Sequence, residues 1–444
     1  MDFQMSPVPA ETGAGCTVEN VFAAARARLP GAGPVLDIRT RAFEIYERAG
    51  LPRRRIENRK YTDPRMLMRD VLPLAAHPDA AALARARDAV QQAAIERAAK
   101  LVLVDGAFTP GLSDLAELES GIELRTLREV LESAAADAMA GLVLSTRDDP
   151  VISLNTAMVT DGLVMTVAAG SALNRPIQII HVATGSSASS FTRSYLHLGN
   201  RAHVALVESF VTAEGASGYQ ANDLMIALLG DEAVLSHLRV AADAADAVNI
   251  SSGITAVGAN AKLNLFNMTD SGALSRYQAF ITLAGEGTEL SANGVNLIKN
   301  EQYADAALVV DHAAPHCRSR EKFRTVVNDH ARSVFRGRII VRPGARRTDG
   351  KLTARALLLS DQAEADLKPE LEIMADDVTC GHGATLGTLD RNLLFYLRAR
   401  GLSEFDAQTL LIEAFVGEAV EEIDNDSLRN YAVGQIQRWL EARR

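Results

Sequence analysis

Between about Pro150 and Ile373 the chain is broken into short apolar segments, four to eight residues long, separated by Gly, Asn and Asp. Leu163–Ala168, Ile177–Ala183, Val204–Val211, Val234–Ala241, Tyr277–Leu283 and Arg338–Val341 are examples. In Lys262-Leu263-Asn264-Leu265 polar and apolar residues alternate. Period-two alternation bounded by turn residues is the mark of β-strands. No helix long enough for a crossover intervenes, which excludes a doubly wound α/β sheet and leaves a sandwich, a barrel or a solenoid. A solenoid requires coils that repeat and stack. The segments are irregularly spaced and share no motif, so the residues alone leave sandwich and solenoid open.

The flanks read differently. Residues 1–145 form a mainly helical N-terminal region, with a frayed start and helices predicted over Val21–Leu29, Ile38–Ala49, Asp79–Ala99 and Thr126–Met139. Gly50 stands where a helix stop is expected. The β core is assigned to residues 146–375 and a C-terminal helical domain to 376–444. There, Asp390–Arg400 is a helix stopped by Gly401, and Ser403 with Asp406 caps a second. Asp426 or Ser427 caps a third. Leu410, Leu411, Ala414, Phe415 and Ile423 form one apolar stripe. Leu428, Ala432, Ile436, Trp439 and Leu440 form another, and Trp439 is expected in the core.

Composition narrows the class. A net charge of −10 over 444 residues argues against broad binding to nucleic acid, which needs a basic surface. The N-terminus lacks the charged and apolar regions of a secretory leader, and no run approaches a membrane span. The three cysteines, Cys16, Cys317 and Cys380, are too scattered for a disulfide framework. A cytoplasmic protein with free thiols is expected.

Three stretches carry chemistry-bearing residues. In Leu371–Gly387, Cys380 and His382 lie two residues apart among Gly381, Gly383 and Gly387. This reads as a glycine-rich turn between the β core and the helices. Thiolate and imidazole both bind iron, zinc and copper. A closed zinc site needs a second ligand pair, and none is present. Further ligands would have to come from another chain; otherwise the pair is a packed thiol beside a hydrogen-bonded imidazole. The glycine spacing also misses a dinucleotide fingerprint by one residue, and no βαβ unit follows. The second stretch, Asp311–Cys317, holds His312, His316 and Cys317, but Pro315 interrupts the strand pattern and a strand end is expected. The third, Pro343–Lys351, has five residues where a phosphate loop has four, and Leu352 replaces the magnesium-binding Ser or Thr.

The run IMADDVTCGHGATLGTLD, with LFYLRARGL at Leu394–Leu402, resembles the C-terminal signature of the SufB/SufD family. That family supplies the scaffold subunits of the SUF iron–sulfur cluster assembly complex. His382–Gly387 is similar to the SufD branch, since the SufB branch tends to carry an acidic residue at the position of Gly383. Upstream, Leu51-Pro52, Glu57, Lys60, Tyr61 and Thr62 match a family motif, with Arg59 where Trp is usual. Phe335-x-Gly337-x-Ile339 matches as well.

The resemblance implies a right-handed parallel β-helix core. It implies a non-catalytic scaffold that pairs with a SufB-like protein and docks on a SufC-like ABC-type ATPase. No stable cofactor is implied, only a transient iron–sulfur cluster shared with the partner chain, with His382 and Cys380 as ligands. Docking of the ATPase is assigned to the C-terminal helices, at Leu411 and Phe415. The alternative is a β-helix polysaccharide lyase or hydrolase, for which Asp311, Asp361 and Glu364 are the available carboxylates.

Overall fold

The computed structural model describes residues 18–49, 70–133, 144, 147 and 149–443. Cys16 and the Leu51–Asp63 motif lie outside them.

The described chain carries nineteen strands in two sheets. In chain order they begin with β1 (Ala99–Val104), β2 (Ala107–Phe108), β3 (Ile122–Thr126), β4 (Leu163–Val167), β5 (Ile177–Ala183) and β6 (Ser189–Leu198). There follow β7 (His203–Thr212), β8 (Gln220–Leu229), β9 (Val234–Ala242), β10 (Val248–Val257), β11 (Lys262–Thr269), β12 (Leu274–Leu283) and β13 (Glu289–Ile298). The last are β14 (Tyr303–His312), β15 (Arg318–Val327), β16 (Arg332–Val341), β17 (Asp349–Leu358), β18 (Glu364–Ile373) and β19 (Thr379–Thr388). From β4 on, even strands pair in parallel with even strands, and from β5 on, odd with odd. Consecutive strands therefore lie in opposite sheets, and the chain winds about eight coils of a parallel β-solenoid. The sandwich is excluded.

The coils differ in length, which hides the repeat. One coil separates the paired Ser252 and Gln278 by 26 residues, another separates Arg338 and Glu370 by 32. What does repeat is a conformation. At one corner the chain turns on a residue with positive φ: Gly170, Arg201, Glu232, Asn260, Gly287, His316, Arg347 and Asp377. The Arg201 amide donates to the Asp231 carbonyl, Glu232 to Ala259 and Asn260 to Glu286, tying each corner to the next coil. Beside this column, Gly230, Gly258 and Gly285 stack where backbones touch.

Every second side chain points into the lumen. Val204, Leu206, Leu235, Leu263 and Leu352 from the odd-strand sheet face Met225, Ala227, Ile281, Leu308 and Val310 from the other. The outer faces are apolar too and are covered by helices. Helices α1 (Val18–Ala25), α2 (Pro34–Ala49) and α5 (Pro150–Met158) cover the even-strand sheet at Phe191, Tyr195, Leu224 and Ile250. Helix α3 (Ala80–Ala93) covers β1 and β5, and α4 (Leu127–Glu132) follows β3. After β19 come α6 (Arg391–Ala399), α7 (Glu404–Val420) and α8 (Asp426–Glu441). The last two cover Val207, Leu238, Phe266 and Val295 of the odd-strand sheet, and Trp439 is buried there.

Several boundaries differ from expectation. The Asp79–Ala99 helix ends at Ala93, because Ala99–Val104 pairs with β5 and tertiary pairing overrides alanine's helix propensity. Strands β1 to β3 thus arise within the region read as helical, and the sheet runs past 375 to Thr388. Residues 150–158 are a wholly buried helix. Asn425 caps the last helix, its side chain accepting from the Leu428 amide. Among the described residues no helix is long and apolar enough to cross a membrane.

The stacked glycines give a direct test. A Cβ on Gly285 would stand 2.0 Å from the Ala259 nitrogen, which is backbone and cannot step aside. Gly285→Ala should destabilise the fold by about 1–3 kcal/mol, as overpacking does, measured by thermal or urea melting. An unchanged midpoint would show that the coils are not stacked this closely.

Candidate functional site

The sheets end differently at β18 and β19. Each has a neighbour on one side only. Strand β18 carries Glu364, Asp366, Lys368, Pro369, Glu370 and Glu372, the charges and proline that blunt an exposed edge. Strand β19, Thr-Cys-Gly-His-Gly-Ala-Thr-Leu-Gly-Thr, has no Asp, Glu, Lys or Arg. A Cβ built on Gly381, Gly383 or Gly387 would meet nothing within 4 Å. Within the stretch expected to be a turn, only residues 374–378 are one, and Thr379–Thr388, with Cys380 and His382, is strand. Its parallel ladder with β17 supplies the hydrogen bonds, and sheet context overrides glycine's poor strand propensity.

Register decides which way the pair faces. Leu352 of β17 lies in the lumen core and is the partner of His382; Gly350, two residues earlier, is the partner of Cys380. Cys380 and His382 thus lie on the lumen side of a coil that no further coil covers. Cys380 is half-buried against the core and His382 is exposed. Ile373 and Leu386, also at lumen positions, are 44% and 52% exposed, whereas Val341, the partner of Ile373, is fully buried. Met374, Leu393, Phe395 and Tyr396 add exposed apolar surface nearby.

Behind the pair the lumen is polar. Ser319 precedes Gly350 in the row that ends at Cys380, and Glu321 precedes Leu352 in the row that ends at His382. Gly350 adds no side chain between Ser319 and Cys380, and the Ile339 side chain lies 3.5 Å from where its Cβ would stand. His312 is fully buried, with its Nε2 2.9 Å from the Ser319 hydroxyl and its Nδ1 unpartnered. Burial drives its pKa down to about 4, against the opposing pull of Asp311 and Asp349, so the imidazole is neutral. Neither oxygen of buried Glu321 has a well-formed hydrogen bond, although the Ser319 hydroxyl is near enough to ease its charge. Burial raises Glu321 to about 8. Burial also pushes the Cys380 thiol up; the Gly350 amide opposes this, while Asp349 and Glu321 add to it. At neutral pH the isolated chain holds Cys380 as a thiol.

The other candidates separate. Asp311 and His312 end β14, and Asp311 is paired outward with Arg342. His316 sits exposed on the positive-φ corner, and Cys317 is buried, its thiol donating to the Gly285 carbonyl at 3.3 Å. The stretch is a strand end, with no convergence of ligands. Pro343–Thr348 is the turn leading into β17. Glu364 lies 3.6 Å from Arg332, so neither it nor Asp311 is a free carboxylate. Leu411 is half-buried on α7. Phe415 is half-buried and packs on the outer core, with the Arg324 guanidinium 5.7 Å from its ring.

Comparison with known proteins agrees with this architecture. Residues 181–415 match the family model described as "SUF system FeS cluster assembly, SufBD core domain", and residues 31–179 match "SufBD protein N-terminal region". The chain belongs to the SufBD family. It is 30% identical over 397 residues to the iron–sulfur cluster assembly protein SufD of Escherichia coli, covering 88% of this chain and 90% of that one. A SufBD family iron–sulfur cluster assembly protein of Synechocystis is 30% identical over 340 residues, 74% of this chain and 75% of the relative. SufD of Bacillus subtilis is 26% identical over 296 residues, 64% of this chain and 66% of the relative.

Glu321 is the site residue that sequence reading missed. Within Arg-Ser-Arg-Glu-Lys-Phe its inward position shows only once the strand phase is known. It ordinarily ionises near 4.5, and burial holds it to about 8. Between those pH values the folded chain keeps a proton that the unfolded chain has released, so its contribution to stability falls as pH rises. Glu321→Gln should therefore gain melting temperature over wild type progressively from about pH 4.5 to 8. A constant difference across that window would contradict the buried, high-pKa assignment.

Proposed function

We propose that this chain is a non-catalytic scaffold which pairs with a SufB-like protein and docks on a SufC-like ABC-type ATPase. A transient iron–sulfur cluster then assembles at the interface between the two solenoids, as cargo rather than as a resident cofactor. The observation that carries this reading is strand β19, without Asp, Glu, Lys or Arg and uncapped at the end of the solenoid, with Cys380 and His382 on the lumen side. An open parallel edge of this kind invites pairing with another chain's strand. Burial of Ile373 and Leu386 by that chain would supply the apolar driving force.

Two ligands cannot close a metal site, and that suits transfer. Imidazole and thiolate from this chain, completed by groups of the partner, form a coordination shell that opens when the subunits move apart. Iron entering the site displaces the Cys380 proton, since the thiolate is the ligand. The ATPase is assigned to the C-terminal helices, with Leu411 and Phe415 at the docking stripe. Nucleotide-driven movement there would act on the interface as a rigid-body switch.

The test is co-expression of this chain with SufB-like and SufC-like proteins. His382→Ala should leave the complex intact, because an exposed residue buries no core. It should lower the iron–sulfur absorbance formed on the complex by about tenfold or more, at least the effect of losing an outer-shell partner. Cys380→Ser should match it if the thiol is a ligand and fall short of it if the thiol only packs. Normal cluster formation in His382→Ala, with loss in His312→Ala, would move the site to the buried histidine.

A further inference from the structure

A second cluster lies deep in the lumen, away from the open end. His181 of β5, Glu208 of β7 and Asp223 of β8 each offer one ligand atom, and these atoms lie within 4.8 Å of one another. The two-residue period places all three inward, two residues after Ile179, two after Leu206 and two before Met225 of the lumen core. His181 and Glu208 come from adjacent strands of one sheet, and Asp223 closes the cluster from the other.

Two features set this cluster apart from an ordinary buried ion pair. First, His181 Nε2 and Glu208 Oε1 are buried with no hydrogen-bond partner. Second, the remaining carboxylate oxygens are held from behind: His237 Nε2 lies 2.7 Å from Glu208 Oε2, and the Thr192 hydroxyl donates to Asp223 Oδ1 at 2.5 Å. At Glu208 the outer hydrogen bond fixes one oxygen and leaves the other free, the support that a metal-ligating carboxylate has. The His181 ring is fixed by stacking on Phe210, with centroids 4.4 Å apart. Burial lowers the imidazole to about pH 4, so its lone pair is available. A cavity of about 20 Å³, room for one water, lies beside the cluster and is lined by His181, Thr192 and Phe210 but not by Glu208 or Asp223.

Two buried guanidinium groups, Arg193 and Arg239, act on the cluster. Arg239 donates to Asn267, Asn249 and Ser251 and lies over the Phe210 and Tyr277 rings. Buried Asp243, held by Tyr219 and Asn249, acts on it as a countercharge. Glu208 faces Arg239 across adjacent coils, and Asp223 feels both Arg239 and Arg193, so a dication would share these carboxylates with the guanidinium groups and would displace the proton that burial holds on Asp223 up to about pH 8.

We infer that His181, Glu208 and Asp223 form an interior site for a divalent transition metal of the iron(II) or manganese(II) class, separate from the Cys380–His382 pair. One nitrogen and two carboxylate ligands select such borderline ions over calcium and over thiophilic metals. Ligand atoms on one ion sit about 3 to 3.5 Å apart. Closing from the present spacing needs only side-chain movement of about an ångström.

The test uses manganese(II) as the probe. The purified full chain, freed of metal with chelator, is equilibrated with manganese(II), and bound metal is counted by atomic emission. One ion per chain is expected, with nitrogen coupling in the pulsed electron paramagnetic resonance spectrum. His181→Gln should abolish that coupling. Glu208→Gln and Asp223→Asn, chosen as isosteric so that the fold survives, should weaken binding about tenfold or more, with circular dichroism confirming folding. The double variant Cys380→Ser/His382→Ala should bind as wild type does. Absence of binding, binding that survives all three lumen substitutions, or binding lost with the Cys380 and His382 changes would each overturn the proposal. None of these results depends on cluster assembly.

Discussion

Backbone pairing between successive coils is the interaction on which everything else rests. Each coil's amides and carbonyls are satisfied by the coil before and the coil after, so every coil is a template for the next. Such a stack has no internal reason to stop, and its ends must be dealt with separately. The first end is closed by reversal: β2 runs antiparallel to β1 and β3 antiparallel to β4, so neither sheet offers a parallel edge there. The last end has no reversal. Strand β18 is protected by charge and proline, and β19 by nothing. The asymmetry places Cys380 and His382, the bare edge and the exposed apolar side chains within one region of the molecule.

The lumen is apolar along most of its length, which makes its polar stations conspicuous. Burying a carboxyl without partners is costly. The chain accepts that cost in full at Glu321, behind Cys380, and in part at Glu208, where one oxygen is partnered and the other is not. At Glu321 the neighbouring coils fill the same row with Ala292 and Leu352, whereas Glu208 stands between Ile179 and Arg239, and Asp223 between Thr192 and Ser251, within a polar band. Both stations combine a neutral histidine with unpartnered carboxylate oxygen. Buried polar groups retained against packing are best read as chemistry.

Strand content, terminal helices and the Cys380–His382 pair were legible in the sequence; the solenoid and the direction of the site were not. The alternation in Lys262–Leu265 declares a strand, but a solenoid declares itself only by repetition, and coils of 26 to 32 residues blur it. The constant feature is the left-handed corner, and it is occupied by Arg201, Glu232, Asn260, His316, Arg347 and Asp377 as readily as by glycine. The family resemblance, resting on the run from Ile373 to Asp390, supplied what periodicity lacked. That same run misled locally: three glycines suggested a turn, while the ladder with β17 makes a strand. Among the strands not singled out, β15, β17 and β18 carry charge on outward faces where a covered strand would be apolar, and β10 and β13 are rich in Ser, Asn and Gly.

The central claim is that β19 is an edge awaiting a partner's strand. Amide hydrogen exchange measures this directly, residue by residue, on the chain alone and mixed with a SufB-like protein. In the isolated chain, amides of Thr379–Thr388 that face away from β17 should exchange fast, while those of β8 to β12 stay protected. Adding the partner should slow the β19 amides by about tenfold or more, the factor that a closing free energy of 1.4 kcal/mol produces, and leave β8 to β12 unchanged. Unaltered exchange at β19 in a complex that demonstrably forms would contradict the account, because the partner would then sit elsewhere.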